Sequence, residues 1–486
     1  MTHWIIAPVV LPALVAAFII IAVRHDLRLQ RIACVASIVA LNAIAAVLLW
    51  SATIHPPEAY FLGNWPAPIG ITLVLDRLSA MMLMLLSALA LPVVLYAIGS
   101  GWDAKGAHFH ALLQFLLMGI AGAFLTGDAF NLFVFFEVLL IASYGLMIHG
   151  GGQARTRAGI QYIAFNLIGS SLFLIALATV YSVTGTLNMA DLAVKLTTLP
   201  PGDTALIRTA AVMLILVFAI KSALVPLQFW LPGTYANAPG VVAAMFAVMT
   251  KVGAYATLRF GTLIFPSTLP ATGPLLADLL LPAAVITLAV GAIGILGATT
   301  LPRLVAFGAI ASMGTAFVAI AGFTPQTTSA ALYYILHSTL ATAALFLIAD
   351  RITRHPGPQS GLTASLYFAG AIALAGMPPL SGFIGKLLIL DAMRDQAPLI
   401  WTAILLSSFL MLLGFARTGS TLFWKAEGIA PPHAEPLATA AIFALIAALA
   451  ALTVFAGPVT VWLDTTGASL YDPAPYIAAN QLYEAR

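Results

Sequence analysis

Four charged side chains lie within stretches of this sequence that are otherwise apolar enough to cross a membrane. Three are lysines: Lys221 in VFAIKSALVPL, Lys251 in FAVMTKVGAYA and Lys386 in SGFIGKLLILD. The fourth is a carboxylate, Glu137 in FNLFVFFEVLL. One such charge at the centre of a bilayer costs about 2.5–3.5 kcal/mol on insertion scales, so it is retained only where it is paired, hydrated or used. Together the four predict a path for protons or other ions.

The three lysines have the chemistry of proton carriers. Burial disfavours the charged form of a lysine, so a nearby charge or water molecule can decide whether its amine holds a proton. Lys221 and Lys251 lie too far inside their apolar stretches to be side chains that reach the lipid headgroups from a helix end. Lys386 follows a pair of prolines, and headgroup contact is the alternative interpretation there.

Glu137 follows three closely spaced phenylalanines, and such apolar surroundings favour the neutral acid. A neighbouring ammonium group would favour the carboxylate instead, and Lys221 is the predicted partner. A glutamate–lysine pair whose strength changes as a proton approaches is sufficient as a switch. The alternative is a static salt bridge between two helices. It is the weaker interpretation because buried ion pairs contribute little net stability.

His337 lies deep inside another apolar stretch, LYYILHSTLATAALFLIAD. Its neighbours Ser338, Thr339 and Thr342 make one side of this stretch polar, and their hydroxyl groups could hold a chain of water molecules. This pattern predicts a relay histidine. The alternative is a histidine that only packs within a helix bundle.

The composition defines an integral membrane protein. Of 486 residues, 62% are hydrophobic and 8% are charged, and the mean hydropathy is +1.04. A water-facing surface needs about a quarter or more charged residues. The net charge of +3 is too small and dispersed for nucleic-acid binding. A single cysteine, Cys34, excludes an internal disulfide and a four-thiolate metal site, and no nucleotide-binding or hydrolase motif is present, so neither cofactor nor metal is predicted.

Apolar stretches recur along the whole chain and predict one all-α membrane domain, residues 1–486, of about 14 transmembrane helices. Their starts are predicted near Ile5, Ile32, Leu78, His110, Phe130, Ile160, Ile207, Val241, Leu281, Leu304, Ala331, Leu366, Ile400 and Leu437. The connection containing LNMADLAVKL is predicted to form a short amphipathic helix at the interface. Trp230 and Trp424 are interpreted as interface anchors.

The basic residues predict the orientation of the chain in the bilayer. Alternate loops, beginning with the first, carry Arg24, Arg28, Arg31, Lys105, Arg155, Arg157, Arg303, Arg351, Arg354, Arg417 and Lys425. By the positive-inside rule these loops are cytoplasmic. Both termini are therefore predicted on the outer, periplasmic side of a bacterial inner membrane.

Prolines interrupt two of the predicted helices. Pro226 follows Lys221, and the pair Pro378 and Pro379 precedes Lys386. Each proline frees a backbone carbonyl one turn earlier, at Ser222 in the first helix and at Leu374 and Ala375 in the second. Freed carbonyls inside a bilayer must be satisfied by neighbours or water. Two lysine-bearing broken helices, five spans apart, suggest two inverted five-helix repeats at about 108–260 and 280–425.

Three segments resemble the proton-translocating antiporter-like membrane subunits: TGDAFNLFVFFEVLLIASYGL, AIKSALVPLQFWLPGTYANAPGVVAAMFAVMTKVGAYATLRF and GMPPLSGFIGKLLIL. That family includes the D subunit of multisubunit monovalent cation/proton antiporters, the Mrp, Pha, Sha or Mnh type, and the three large membrane subunits of respiratory complex I. The similarity covers most of the chain. The segment FNLFVFFEV and the chain length are more similar to the antiporter D subunit than to the complex I subunits.

The resemblance implies a 14-helix fold, with inverted repeats at helices 4–8 and 9–13 and breaks in helices 7 and 12. It also implies a proton relay through Glu137, Lys221, Lys251, His337 and Lys386. Many relatives carry a lysine five residues after the histidine, whereas this chain has Thr342 there. The relay is then expected to pass this point through water held by hydroxyl groups, or directly from His337.

The expected function is therefore proton translocation within a multisubunit Na⁺ or K⁺/H⁺ antiporter, together with other membrane subunits. One alternative is a proton-pumping subunit of NADH:quinone oxidoreductase (complex I) or of a membrane hydrogenase. Another is a stand-alone solute transporter. The shortage of carboxylates in the apolar stretches argues against a dedicated sodium site in this chain, because sodium prefers oxygen ligands.

Overall fold

The computed structural model describes residues 2–199, 204–424 and 435–482, and most of them are helical. The first ten helices are α1 (Ala7–Ile21), α2 (Leu27–Ile54), α3 (Arg77–Gly99), α4 (Phe109–Leu125), α5 (Ala129–Met147), α6 (Gln153–Thr184), α7 (Met189–Lys195), α8 (Thr204–Ser222), α9 (Trp230–Asn237) and α10 (Gly240–Arg259). The others are α11 (Leu275–Gly297), α12 (Leu301–Ile320), α13 (Pro325–Arg354), α14 (Gly361–Ala375), α15 (Ser381–Ala392), α16 (Ala397–Gly419), α17 (Pro436–Val454), α18 (Ala456–Leu470) and α19 (Ala474–Ala479). Lys425, where the second predicted repeat ends, lies outside the described residues.

Among the described residues, 11 helices are long and apolar enough to cross a membrane, and three shorter helices are also apolar. Each predicted start lies inside a helix or within two residues of one. Some helices begin earlier than predicted: α6 begins at Gln153 rather than near Ile160. Its first turns are polar, so hydropathy alone does not reveal them. The chain is thus an all-helical, multi-pass membrane protein.

Helices α10, α12 and α13 form the centre of the bundle. Every residue of α10 from Val241 to Arg259 is buried, and α12 and α13 are nearly as enclosed. A helix that is apolar all round is buried on every side, as is typical of a bundle core. The helices α2, α6, α11, α16 and α17 surround this core and expose much of their apolar surface.

Both predicted helix breaks are present. α8 ends at Ser222 and α9 begins at Trp230, with Pro226 between them. α14 ends at Ala375 and α15 begins at Ser381, with Pro378 and Pro379 between them. The chain leaves α14 through Gly376, whose φ of 80° lies in the left-handed region that favours glycine.

Trp230 does not anchor the protein at the interface. Its side chain is 7% exposed, and its indole N–H donates to the carbonyl oxygen of Ile220 at 3.0 Å. It is a second donor to a carbonyl at the end of α8 that, among the described residues, otherwise accepts only from the Ala223 N–H, at 3.1 Å. The interpretation of Trp230 as an anchor was wrong, whereas Trp424 is 72% exposed, as an interface anchor would be.

One face of the bundle collects several short elements. The hairpin strands β1 (Glu58–Phe61) and β2 (Thr72–Leu75) pair in antiparallel register, with Glu58 opposite Leu75. The predicted interface helix α7 lies on the same face, and α19 packs against both α7 and β1. The N-terminal turn at residues 2–4 also contacts β1. Both ends of the described chain therefore lie at this face. The hairpin and α19 were not predicted because each is too short for a hydropathy window. α18 was not predicted because Asp464, Thr465, Thr466 and Ser469 lower the hydropathy of its sequence.

Candidate functional site

The five predicted relay side chains lie on helices that pack against one another. α8 carries Lys221 and packs against α10 with Lys251, and α10 packs in turn against α13 with His337. α13 also packs against α15, which carries Lys386. Glu137 lies on α5, which packs against α6, and α6 packs in turn against α8. The lysines and His337 are buried and Glu137 is half-buried. The structure thus brings the five side chains together in a row of contacting helices.

Glu137 and Lys221 do not form the direct ion pair that the sequence suggested. The Lys221 ammonium donates to Asn166 Oδ1 at 3.0 Å, and Ser170 Oγ donates to a Glu137 carboxylate oxygen. Ser170 Oγ also lies 3.0 Å from the Asn166 carbonyl oxygen, one turn earlier on α6. Two neutral residues of α6 therefore bridge the carboxylate and the amine, and the link between them runs through the Asn166 backbone rather than from side chain to side chain.

Sequence reasoning missed both bridging residues. Asn166 and Ser170 are spaced four residues apart in IAFNLIGSSLFLIA, which places them on one side of α6. An asparagine in the middle of an apolar stretch was the available signal, because its amide must find partners when it is buried. The Asn166 amide nitrogen finds one by donating to the Tyr162 carbonyl oxygen at 2.9 Å.

Lys251 is buried, and its amine has no hydrogen-bond partner in the described parts of the chain. The close contact of α10 with α8 is at Gly253, against which Ser222 packs with no space for a side chain. Residues two apart do not share a side of a helix, so Lys251 lies on a different side of α10 from this contact. An ammonium group buried without a partner is costly. Lys251 can therefore hold its charge only when water or another carrier reaches it, which suits a transient carrier of protons.

His337 lies directly against the second helix break. Its Nδ1 atom is 2.9 Å from Ser381 Oγ, at the first residue of α15. Its Nε2 atom has no hydrogen-bond partner within the described ranges, and a side chain at Gly382 would collide with it. Lys251 and Lys386 are both near enough for their charges to act on the ring. The imidazole is thus close to both lysines, and its Nε2 atom lies beside the Ala373 carbonyl oxygen without forming a hydrogen bond of normal geometry.

The hydroxyl groups beside His337 differ in how they are used. Ser338 and Thr339 both donate to the Ile335 carbonyl oxygen, at 3.4 and 2.7 Å, so they are bonded within their own helix. The Thr342 hydroxyl is buried and has no partner among the residues described. Of these three hydroxyl groups, that of Thr342 is therefore the one best able to bind water.

Lys386 is held by neutral oxygen atoms. Its amine donates to the Ala375 carbonyl oxygen at 2.8 Å and to Ser408 Oγ at 2.7 Å. Ala375 is one of the residues whose carbonyl the prolines were predicted to free. Gly376 lies under the Lys386 side chain, where a Cβ atom would be 2.5 Å from Lys386 Cδ. Lys386 is 4% exposed, and its amine is bonded to the last residue of α14 and to α16. The side chain is therefore held within the protein and not by contact with lipid headgroups.

No group of three or more His, Cys, Asp or Glu side chains in the described residues is arranged to hold a metal ion. The site instead consists of separated titratable groups joined by neutral polar atoms. Such an arrangement can pass protons along a path, and it offers no cluster of carboxylates for a bound cation.

Comparison with known proteins identifies the family. A family model described as "NADH:quinone oxidoreductase/Mrp antiporter, TM" matches residues 126–414, which include all five relay positions. Together with the full-length relatives below, this match shows that the chain belongs to that family of membrane subunits.

Two curated relatives are similar over almost their whole length. A protein of Bacillus subtilis (strain 168), named as the D subunit of a Na⁺/H⁺ antiporter, is 37% identical, with 99% of each chain covered. A protein of Rhizobium meliloti (strain 1021), named as the probable D subunit of a K⁺/H⁺ antiporter, is 36% identical, with 97% of this chain and 96% of the relative covered. A chain of the Mrp complex structure from Dietzia sp. DQ12-45-1b has a TM-score of 0.89 at 27% identity, with 99% of this chain and 100% of that one covered.

Proposed function

We propose that this chain is a proton-translocating subunit of a multisubunit antiporter that exchanges protons for Na⁺ or K⁺. The observation that carries the proposal is the row of buried titratable side chains, with Glu137 at one end, Lys386 at the other, and Lys221, Lys251 and His337 between them. The names of the full-length relatives support the same function. The chain acts as a transporter subunit and has no catalytic role.

Glu137 and Lys221 form the switch in this proposal. When the Glu137 carboxylate is ionised, its charge favours the ammonium form of Lys221 through the short bridge of Ser170 and Asn166. When a proton reaches Glu137, that attraction ends and Lys221 is free to give its proton away. The bridging side chains stay neutral throughout, so they transmit the change without holding the charge.

Protons then move from Lys221 to Lys251, to His337 and to Lys386. Lys251 receives the proton through water, since its amine has no partner among the described residues. His337 has one bonded and one available ring nitrogen, as a group that accepts at one atom and donates at the other requires. Where many relatives have a lysine, the Thr342 hydroxyl holds the water that continues the path.

We further propose that the chain is one domain over residues 1–486 and crosses the membrane 14 times. Each broken helix, α8 with α9 and α14 with α15, then counts as one crossing. The repeats at about 108–260 and 280–425 are inverted relative to one another, although residue 425 lies outside the described residues. The position of the N-terminal turn and α19 at one face supports an even number of crossings. The basic loops place that face on the outer side of a bacterial inner membrane.

Other membrane subunits are proposed as partners, because the relatives' names are those of subunits. The family description also covers NADH:quinone oxidoreductase subunits, in which a redox reaction would drive the same relay. Genes for small antiporter subunits beside this one would favour the antiporter, whereas genes for quinone-binding and iron–sulfur subunits would favour the respiratory complex.

The proposed function is tested by expressing the chain with and without its neighbouring subunits in a host sensitive to monovalent cations. Proton movement in everted vesicles is then measured on addition of Na⁺ or K⁺. We expect cation-dependent proton movement only when all subunits are present, and its loss in Glu137→Ala. The control Lys195→Ala changes a lysine of α7 whose side chain is 42% exposed and should transport normally. Equal proton movement with and without Na⁺ and K⁺ would contradict the proposal.

A further inference from the structure

Lys251 lies on one side of α10 with two further polar residues at helical spacing. Tyr255 and Arg259 follow it at intervals of four residues, so the three side chains share one side of the helix. At about 1.5 Å per residue, Arg259 is about 12 Å further along the helix axis. The guanidinium carbon of Arg259 lies 5.0 Å from the centre of the Tyr476 ring, on α19. From Lys251 to Arg259, α10 therefore runs toward the face of the bundle that carries the hairpin and α19.

Hydrogen bonds connect Tyr255 and Arg259, but not Lys251, to a carboxylate at the start of α3. Arg259 binds Asp76 through both terminal nitrogens, at 2.6 and 2.9 Å. The same guanidinium donates to the Tyr255 hydroxyl at 3.3 Å, and that hydroxyl donates to the Phe124 carbonyl oxygen at 2.7 Å. Arg259 is 3% exposed and Asp76 8% exposed. A buried, bidentate ion pair therefore lies two turns beyond a relay lysine.

The pair is not explained by stability alone, because the cost of removing two charges from water offsets most of their attraction. Asp76 is ionised here. Burial acts to raise its pKa, but the charge and hydrogen bonds of Arg259, aided by Ser79, lower the pKa below its usual value. Arg259 Nε is buried and has no partner in the described residues. A third donor thus remains for water beside the ion pair.

A cavity of about 200 Å³ leads from the ion pair to the surface. Asp76, Arg259 and Thr262 line its inner part, and the exposed residues His55 and Asp472 line its rim. The α-helix gives way to a π-helical turn at Phe260–Ile264, beside this cavity. Such turns are frequent at functional sites.

We propose that Tyr255, Arg259 and Asp76 form an outward branch of the proton path, which leads from Lys251 to this cavity and is gated by the Asp76–Arg259 ion pair. The proposal rests on the proposed function and adds a second outlet to the one expected at Lys386. Tyr255, Arg259 and Asp76 have no role in the relay described above.

The proton balance of the branch is simple. The Asp76–Arg259 pair first opens, which frees a carboxylate oxygen of Asp76 and restores its affinity for a proton. The Lys251 ammonium then releases a proton, which passes to that oxygen through water that the Tyr255 hydroxyl helps to hold, and the neutral acid no longer attracts Arg259. Asp76 then gives the proton to water in the cavity, and the carboxylate binds Arg259 again. The fixed positive charge of Arg259 opposes the passage of metal cations through the same opening.

The test compares variants of the assembled complex in proteoliposomes, with proton release measured after a cation gradient is applied. Asp76→Asn keeps the size of the side chain and the helix cap but cannot carry the proton. We expect it to lower proton release about twofold to fivefold, because the outlet at Lys386 stays open, and Asp76→Glu to restore part of the loss. Tyr255→Phe should lower proton release less, because water can replace the hydroxyl. Asp278→Asn, a change at an exposed carboxylate of α11 that does not line the cavity, is the matched control and should release protons normally.

A second measurement separates a path from a merely structural ion pair. Thr262→Cys places a thiol in the cavity, while the native Cys34 is buried. A membrane-impermeant thiol reagent added from the outer side should lower proton release in Thr262→Cys to the level of Asp76→Asn. It should label Thr197→Cys, an exposed position of the same face, without lowering release. Lowered release in labelled Thr262→Cys together with the loss in Asp76→Asn supports the branch.

Full proton release in Asp76→Asn, or in labelled Thr262→Cys, would overturn the branch while leaving the proposed function intact, provided that Glu137→Ala is inactive in the same preparation. If the unmodified complex releases no protons when the cation gradient is applied, the proposed function itself fails. The two failures are therefore distinguishable.

Discussion

Each of the two helix breaks contains proline and lies close to a buried lysine, but the groups that surround the two lysines differ. At the first break, Lys221 donates to the amide oxygen of Asn166, and a carboxylate lies one side chain further away. At the second, Lys386 donates to the backbone carbonyl of Ala375 and to the hydroxyl of Ser408. The first break adds the indole of a tryptophan as a donor to its own carbonyl and leaves its lysine free for side-chain partners.

The comparison shows that a proline-broken helix with a nearby lysine can serve two roles. A carboxylate near Lys221 can change the affinity of the amine for a proton, because its own charge changes when it is protonated. The neutral oxygens at Lys386 hold the ammonium but cannot be switched by protonation. The first break is therefore suited to start proton transfer and the second to receive the proton.

The largest expected effect is at the carboxylate of the first break. Glu137→Ala should reduce cation-dependent proton transport by at least about 100-fold, because the titrating group that biases Lys221 is removed. Glu137→Asp should keep part of the activity, since the charge remains and the reach shortens by one methylene. Transport is measured in everted vesicles, with assembly checked by copurification of the other subunits. Normal transport in the alanine variant would remove Glu137 from the relay.

Changes at the second break should be somewhat weaker. Lys386→Ala should strongly reduce net transport and leave the residual flux that the outward branch at Asp76 carries. Ser408→Ala removes one of two hydrogen bonds to the amine and should cost about 0.5–1.5 kcal/mol, or up to about tenfold in rate. Steady-state proton flux at normal membrane levels is the measurement. A fully active Lys386→Ala would move the terminal station elsewhere.

The bridge on α6 distinguishes the first break from the second. Asn166→Leu removes the acceptor of the Lys221 amine and should slow transport about tenfold, because a buried charged group loses its hydrogen bond. Ser170→Ala should slow it less, since water can replace one hydroxyl group. The matched control is Ser171→Ala, a neighbouring exposed hydroxyl that bonds only within its own helix. Equal rates in all three variants would show that the bridge is not used.

The smallest effect is expected at Thr342, the position at which many relatives carry a lysine. Thr342→Val keeps the shape of the side chain but removes the unpaired hydroxyl, and it should slow transport a few-fold. Thr342→Lys should be tolerated. Both rates are compared with Thr339→Val, whose hydroxyl is bonded to its own helix. A fully active valine variant together with an inactive lysine variant would contradict a water-holding role.

The sequence predicted the features that depend on the local chain. Prolines predicted both breaks, and charged residues in apolar stretches indicated the buried positions that we propose as the relay, because each signal acts within a turn or two of helix. The bridging side chains could not be predicted in the same way. Serine and asparagine in helices usually bond to their own backbone, so the packing of α6 and α16 decides which of them meet a lysine. Packing also explains why Trp230, which was expected to be an interface anchor, is instead a buried hydrogen-bond donor.

The central claim is that Lys221 gains and loses a proton during transport, rather than only supplying a charge. The variant Lys221→Arg tests it most directly, because arginine keeps the positive charge but does not release its proton in a protein. The complex carrying this variant is assayed for cation-driven proton movement beside Lys195→Arg, a change at an exposed lysine. We predict normal assembly and no transport for Lys221→Arg, with normal transport for the control. Wild-type proton movement in Lys221→Arg would contradict the claim and leave Lys221 as a fixed charge.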